Sequence, residues 1–200
     1  MIVTFKLFNK WQTDIIEIND ISLKPYINLK SILVPRTHGR SGLNRLWTEP
    51  APIVERLMNK MMVPGHKGRK HKLTSGHNTG KSTKLYKTVE KTLLLIEQNT
   101  KKNPVEVLVK AIENAAPREE ITTIEYGGAR YPQAVDTSPL RRIDISLRFM
   151  VQGSYQKSFN SKVPIEKALA DEIIAAYNMD QKSAAISKKL ELERQADASR

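Results

Sequence analysis

No cysteine occurs in the chain, which excludes disulfides and thiolate-held metals. No apolar run approaches the roughly 18 residues that a membrane-spanning helix needs. Met1 to Asn9, MIVTFKLFN, is too short and too polar at its far end for a signal peptide, so the expected location is cytoplasmic. Aromatic residues are scarce at 6%, yet hydrophobic residues reach 40%, and 200 residues suffice to bury the core of one ordinary domain. Acid is scarce as well, and in one place it vanishes. Against 33 Lys and Arg stand 21 Asp and Glu, a net charge of +12. Between Pro64 and Val89 lie Lys67, Arg69, Lys70, Lys72, Lys81, Lys84 and Lys87, three histidines, and no carboxylate. A segment so one-sided is either disordered or neutralised by a polyanion. Nucleic acid is the commonest such partner and an anionic membrane surface the second, with a basic but unspecific surface as the bland alternative. The acids gather elsewhere, chiefly near Asp14–Asp20, Glu119–Glu125 and Asp171–Glu193.

Within the acid-free stretch, SGHNTGKST (Ser75 to Thr83) looks at first like a nucleotide-binding P-loop. The spacing argues against it: a P-loop has four residues between its first glycine and Gly-Lys, and Gly76 leaves three before Gly80-Lys81. The preceding PGHKGRKHKLT is polar and basic, unlike the buried strand that delivers a P-loop into its turn. What remains is a glycine-rich basic loop opening a helix. The expectation is a protein that is not an enzyme and holds no cofactor or metal. His66, His71 and His77 lack the helical spacing and the cysteine partners of a metal site, and no Ser, His and carboxylate grouping has a nucleophile's context.

Residues 1–50 lack helical period and carry Pro25, which stops any long helix; they read as an irregular extension laid over a domain of residues 51–200. Helices dominate afterwards. EPAPIVERLMNKMMV places Pro52 at a first turn and Ile53, Leu57, Met58, Met61 and Met62 on one side. The span from Ser82 to Gln98 puts Leu85, Val89, Leu93 and Ile96 on one stripe and Lys84, Lys87 and Lys91 opposite. That second face is either an ordinary solvated surface or an anion contact continuous with the basic loop. NPVEVLVKAIENAAP opens with Asn103 as cap and Pro104 in the first turn, and Val105, Leu108, Val109, Ile112 and Ala116 share a core-facing arc. TSPLRRIDISLRFMV opens the same way at Ser138-Pro139, with Leu140, Ile143, Leu147, Met150 and Val151 inward. Arg141 and Arg148 project from another side at nearly one azimuth, suited to successive phosphates or to pairing with Asp144. Two further helices run from about Pro164 to Asn178 and from Gln181 to near the C-terminus.

The one β signal is ITTIEYGGARYPQAV, a hairpin over residues 121–136 with Gly127-Gly128 at the turn. Pro132 removes a ladder donor, as on an exposed edge. The ribbon either projects, presenting Arg130 and Tyr131 at its tip, or lies flat on the helices. The fold class expected is mainly α: a compact bundle of about six helices, a protruding two-stranded β-ribbon and an irregular N-terminal extension.

NPVEVLVKAIENAAPREE, the Gly-Gly hairpin, AVDTSPLRR and the closing KKLELERQADASR, in this order, resemble the ribosomal protein S-seven family of the small subunit. FKLFNKWQTDIIEINDISL and APIVERLMNKMMV are similar to its archaeal and eukaryotic branch, in which the eukaryotic protein is named S-five. The resemblance implies a protein that binds the 3′ major domain of small-subunit rRNA, organises assembly of the subunit head, touches neighbouring ribosomal proteins, and lies by the exit tRNA site and the mRNA exit path. It implies rRNA contact at Gly80, Lys81 and the lysines that follow (Lys84, Lys87, Lys91), and at the Pro139 to Arg142 segment, with Arg141 and Arg142. It also implies contact with exit-site RNA at Gly127, Gly128 and Arg130. The loop charge adds Lys67, Arg69, Lys70 and Lys72 to the expected set, the helix face adds Arg148, and Tyr131 and the terminal Arg200 join the exit-site set. No membrane and no small-molecule substrate are expected. Bacterial members carry consecutive arginines in the first ribbon strand, where this chain reads Thr123-Ile124-Glu125-Tyr126, which shifts weight to Arg130 and Tyr131.

Overall fold

Proline, asparagine and serine mark where the helices begin. The Asn103 side chain accepts a hydrogen bond from the Val105 N–H at 3.1 Å, and Pro104 takes the first turn, where no intrahelical N–H is needed. The computed structural model describes residues 5–39, 51–63, 78 and 80–200. Among them are six α-helices, α1 (Ile53–Met62), α2 (Ser82–Thr100), α3 (Pro104–Ala115), α4 (Pro139–Ser158), α5 (Ile165–Tyr177) and α6 (Ala184–Asp197). A two-stranded ribbon, β1 (Glu119–Tyr126) and β2 (Ala129–Asp136), separates α3 from α4.

The apolar stripes read from the sequence line one core. Leu85, Val89, Leu93 and Ile96 of α2 are all buried, as are Val105, Leu108, Val109 and Ile112 of α3 and Ile143, Leu147, Met150 and Val151 of α4. Alanine-rich α5 occupies the centre and packs against α2, α3, α4 and α6. Small side chains there let helices approach closely: a Cβ added at Gly153 of α4 would lie 2.7 Å from the Ala184 Cβ. Beside it, the fully buried Glu172 of α5 accepts from the Lys157 ammonium at 2.5 Å, the Ser183 hydroxyl at 2.8 Å and the Ala184 N–H at 2.6 Å. One carboxylate thus satisfies the start of α6 and ties three helices together.

Two helix ends differ from expectation. Ser138 precedes α4 but makes no side-chain cap bond, so Pro139 alone marks that start. Helix α6 begins at Ala184 rather than near Gln181, because Ser183 is its cap and accepts from the Ile186 N–H.

Residues 5–39 are mostly irregular, apart from a 3₁₀ turn at Lys24–Tyr26, yet they reach the same core. Leu7, Phe8, Trp11, Leu23 and Ile27 are buried in it. Polar bonds fasten the segment: the Trp11 indole donates to Glu97 at 3.0 Å, and the buried Glu55 of α1 accepts from the Thr37 N–H at 2.8 Å and its hydroxyl at 2.9 Å.

The ribbon strands pair antiparallel from Glu119↔Asp136 to Tyr126↔Ala129. Gly127 and Gly128 form the turn at φ +59° and +82°, the doubly left-handed geometry of a type I′ hairpin, which matches the twist of the strands. From Thr122 to Gln133 every residue is exposed, so the ribbon stands off the helices; its half-buried base meets α6.

Candidate nucleic-acid interface

Gly80 at φ +75° turns the chain into α2, with the Lys81 N–H bonded to the Asn78 carbonyl at 3.1 Å. The helix has no side-chain cap and no acid in its first turn, so the positive end of its dipole is not neutralised within the helix. Lys81, Lys84, Lys87 and Lys91 are all exposed and make no ion pair among the described residues. Lysines that would repel one another along one edge, with no carboxylate to relieve them, form a surface for an anion. The Ser82 hydroxyl, which a P-loop would turn to a metal, instead accepts a hydrogen bond from Arg36. Lys67, Arg69, Lys70 and Lys72, with the three loop histidines, lie outside the described residues.

The ribbon supplies a second group. Arg130 and Tyr131 are exposed near its tip, where Arg130 pairs across the strands with Glu125 at 3.5 Å. Exposed ion pairs of this kind are weak and exchange readily for a phosphate. At the ribbon's base Glu119 and Glu120 reach in opposite directions, Glu119 to Arg200 and Glu120 to Arg141, whose second guanidinium bond measures 2.8 Å. These acids tie Arg200 and α4 to the ribbon.

Residues 23–200 match the family model described as ribosomal protein S7p/S5e. The chain belongs to the ribosomal protein S7p/S5e family. It is similar to the small ribosomal subunit protein uS7 of Nanoarchaeum equitans (strain Kin4-M), with 52% identity over 195 residues, which is 98% of this chain and 98% of that protein.

In this S7p/S5e chain the arginines of α4 divide into two kinds. Arg148 is exposed and makes no ion pair among the described residues; Arg141 is exposed and held by Glu120, not by Asp144. Asp144 pairs instead with Arg56 at 3.1 Å and Lys60 at 3.2 Å, both on α1. Arg142 departs from the expected RNA contact. Its side chain is 9% exposed, and it donates to Asp20 at 2.8 Å, to the Pro117 carbonyl at 3.1 Å and to the Ser22 hydroxyl. With each of its three nitrogens bonded inside the protein and the side chain buried, the guanidinium is spent on the fold rather than presented to a phosphate. Burial pushes the Asp20 carboxyl up, but hydrogen bonds from Ser22 and Arg142 outweigh it and hold the pKa below the usual carboxylate value.

Among the described residues no group of three His, Asp or Glu is placed to hold a metal, and no helix is long and apolar enough to cross a membrane. Sequence reasoning also missed an acidic groove beneath residues 12–23. Its only signal there was the clustering of Asp14, Glu17 and Asp20 among isoleucines.

Proposed function

We propose that this chain is a structural constituent of the small ribosomal subunit, a primary rRNA-binding protein of the 3′ major domain that organises assembly of the head. In this reading α2's lysine edge and the loop before it grip the rRNA backbone. The projecting ribbon, with Gly127, Gly128, Arg130 and Tyr131, reaches exit-site RNA near tRNA and the mRNA exit path, with Arg200 at its base. Family membership supports the ribosomal assignment. The observation that carries the RNA surface is the row Lys81, Lys84, Lys87, Lys91, exposed and without ion-pair partners among the described residues, on the helix whose opposite stripe is core.

The chemistry is that of a scaffold. Basic side chains neutralise phosphates and release their counterions, and the protein holds a folded junction by shape rather than by reading a sequence. Arg142 takes no part; Arg141 and Arg148 extend the surface along α4. The test is a titration of the full chain with a 3′-major-domain rRNA fragment across salt concentrations. Neutralising about six phosphates gives a log–log slope of roughly −4 to −5. A flat salt response overturns this reading of the surface.

A further inference from the structure

Acid absent from residues 64–89 is concentrated near the start of the chain. From Gln12 to Leu23 the chain carries Asp14, Glu17 and Asp20 and neither Lys nor Arg. The segment is irregular but pinned. The Asn103 amide donates to the Gln12 carbonyl at 2.7 Å, and Glu113 of α3 accepts from the Asn19 and Asp20 N–H groups at 2.6 and 3.0 Å. Within it Ile16 and Ile18 pack on the core, whereas Ile15 and Ile21 are 75% and 85% exposed. Large apolar side chains held outward on a fixed backbone serve no purpose in this core, and a cluster of them is the usual mark of an interaction surface.

Ile15 borders a cleft of about 400 Å³ walled by Ile16 and Tyr177 and rimmed by three carboxylates, Glu17, Glu106 and Glu113. Its one ammonium, Lys110, is already bonded to Glu113 at 3.2 Å. Glu17 and Glu106 make no ion pair among the described residues. A second cleft of about 670 Å³ adjoins the first, sharing Asn19, Lys110 and Glu113 with it, but Ile21 and Met179 line it beside Arg118, Arg142 and Lys189, so it is basic and no part of the acidic rim. The first cleft sets an apolar wall beside an excess of carboxylate, Glu17, Glu106 and Glu113 against Lys110, with Lys102, bonded to Tyr177 at 2.8 Å, close enough to Glu106 to feel its charge. An RNA phosphate is repelled there; a lysine fits, with its aliphatic stem along the wall and its ammonium at the carboxylates.

We propose that the first cleft docks a lysine-bearing basic segment of a neighbouring ribosomal protein, with the ammonium at Glu17 and Glu106 and the apolar flank on Ile15 and Tyr177. The inference rests on the ribosomal assignment, which supplies the neighbours. On a chain of net charge +12, a basic partner is repelled over most of the surface, so the acidic groove sets where it attaches.

The native chain in purified small subunits provides the test. Carbodiimide joins a carboxylate directly to an amine in ion-pair contact, and glycine ethyl ester reports carboxylates open to solvent. The expected result is an amide bond from Glu17 or Glu106 to a lysine of a second protein, located by mass spectrometry. Ester labelling of both glutamates should fall about tenfold relative to the free chain, as for groups taken out of solvent by a partner. Equal labelling in subunits and free chain overturns the proposal. So does protection without an amide to a second protein, or ultraviolet crosslinking of residues 12–23 to rRNA. Glu17→Lys with Glu106→Lys should abolish the crosslink and leave affinity for the rRNA fragment undiminished. The salt titration of the free chain judges the RNA surface separately, so the two readings fail independently.

Discussion

Arg142 and Gly153, both on α4, show how much one position depends on its neighbours. Arg142 bridges Asp20, Ser22 and the Pro117 carbonyl, and truncating it leaves those groups without their donor. Because Asp20 keeps partial access to water, the expected cost of Arg142→Ala is about 2–3 kcal/mol, below that of a fully buried pair. Thermal unfolding should show it as a fall in Tm, with rRNA-fragment affinity unchanged at temperatures where both proteins are folded. The lowered Asp20 pKa gives a pH signature. A carboxyl depressed in the folded state adds stability above its unfolded pKa, near 3.9 for Asp, and loses it as pH falls through the folded value. The Tm difference between the native chain and Asp20→Asn should therefore shrink as acid is added through that range. Gly153→Ala should destabilise by about 1–3 kcal/mol, since the new methyl meets the Ala184 Cβ at 2.7 Å and the Glu172 carboxylate at 3.1 Å. In an exposed helix the same change stabilises; the sign of the measured ΔΔG decides between close packing and propensity.

Elements formed where local signals agreed. The helical stripes of α2, α3 and α4 were legible because a period of 3.6 residues is a property of the chain itself. The hairpin was legible because two glycines can both adopt positive φ. The start of α6 was displaced by three residues because its cap is completed by Glu172, a partner on another helix. The ribbon tests independence between elements. Valine at Gly127 or Gly128 must sit at φ +59° or +82°, costing about 1–2 kcal/mol, although no neighbour lies within 4 Å of either added Cβ. Amide exchange across residues 121–134 should quicken in such variants while the global transition barely moves, because the exposed ribbon contributes little to the core. A large fall in Tm would show instead that the ribbon supports the bundle.

At the scale of the molecule, the described residues do not spread their charge evenly. The lysine edge of α2 lies open, whereas Glu17, Glu106 and Glu113 rim a cleft beside the exposed Ile15. Replacing Lys84, Lys87 and Lys91 together by alanine should flatten the rRNA salt slope by about 2–3, since each phosphate left without its lysine removes roughly 0.7–0.9. The same variant should keep its Tm, because these side chains make no internal bonds among the described residues. An unchanged slope would move the RNA surface away from α2.

The sequence alone determined the helices, the hairpin and the positive excess, because periodicity, turn residues and charge are local or additive. It could not rank the arginines of α4. Arg142 and Arg148 look alike in the chain, and what separates them is the segment of residues 20–22, some 120 positions earlier, laid across one and not the other. The acidic cleft is likewise a product of folding: Glu17 and Glu106 come from distant segments and share a cleft because Glu113 and Asn103 pin the N-terminal segment against α3. Long-range packing decides which charges are consumed inside the protein and which remain for a partner, since a buried guanidinium must satisfy its donors internally and an exposed one need not.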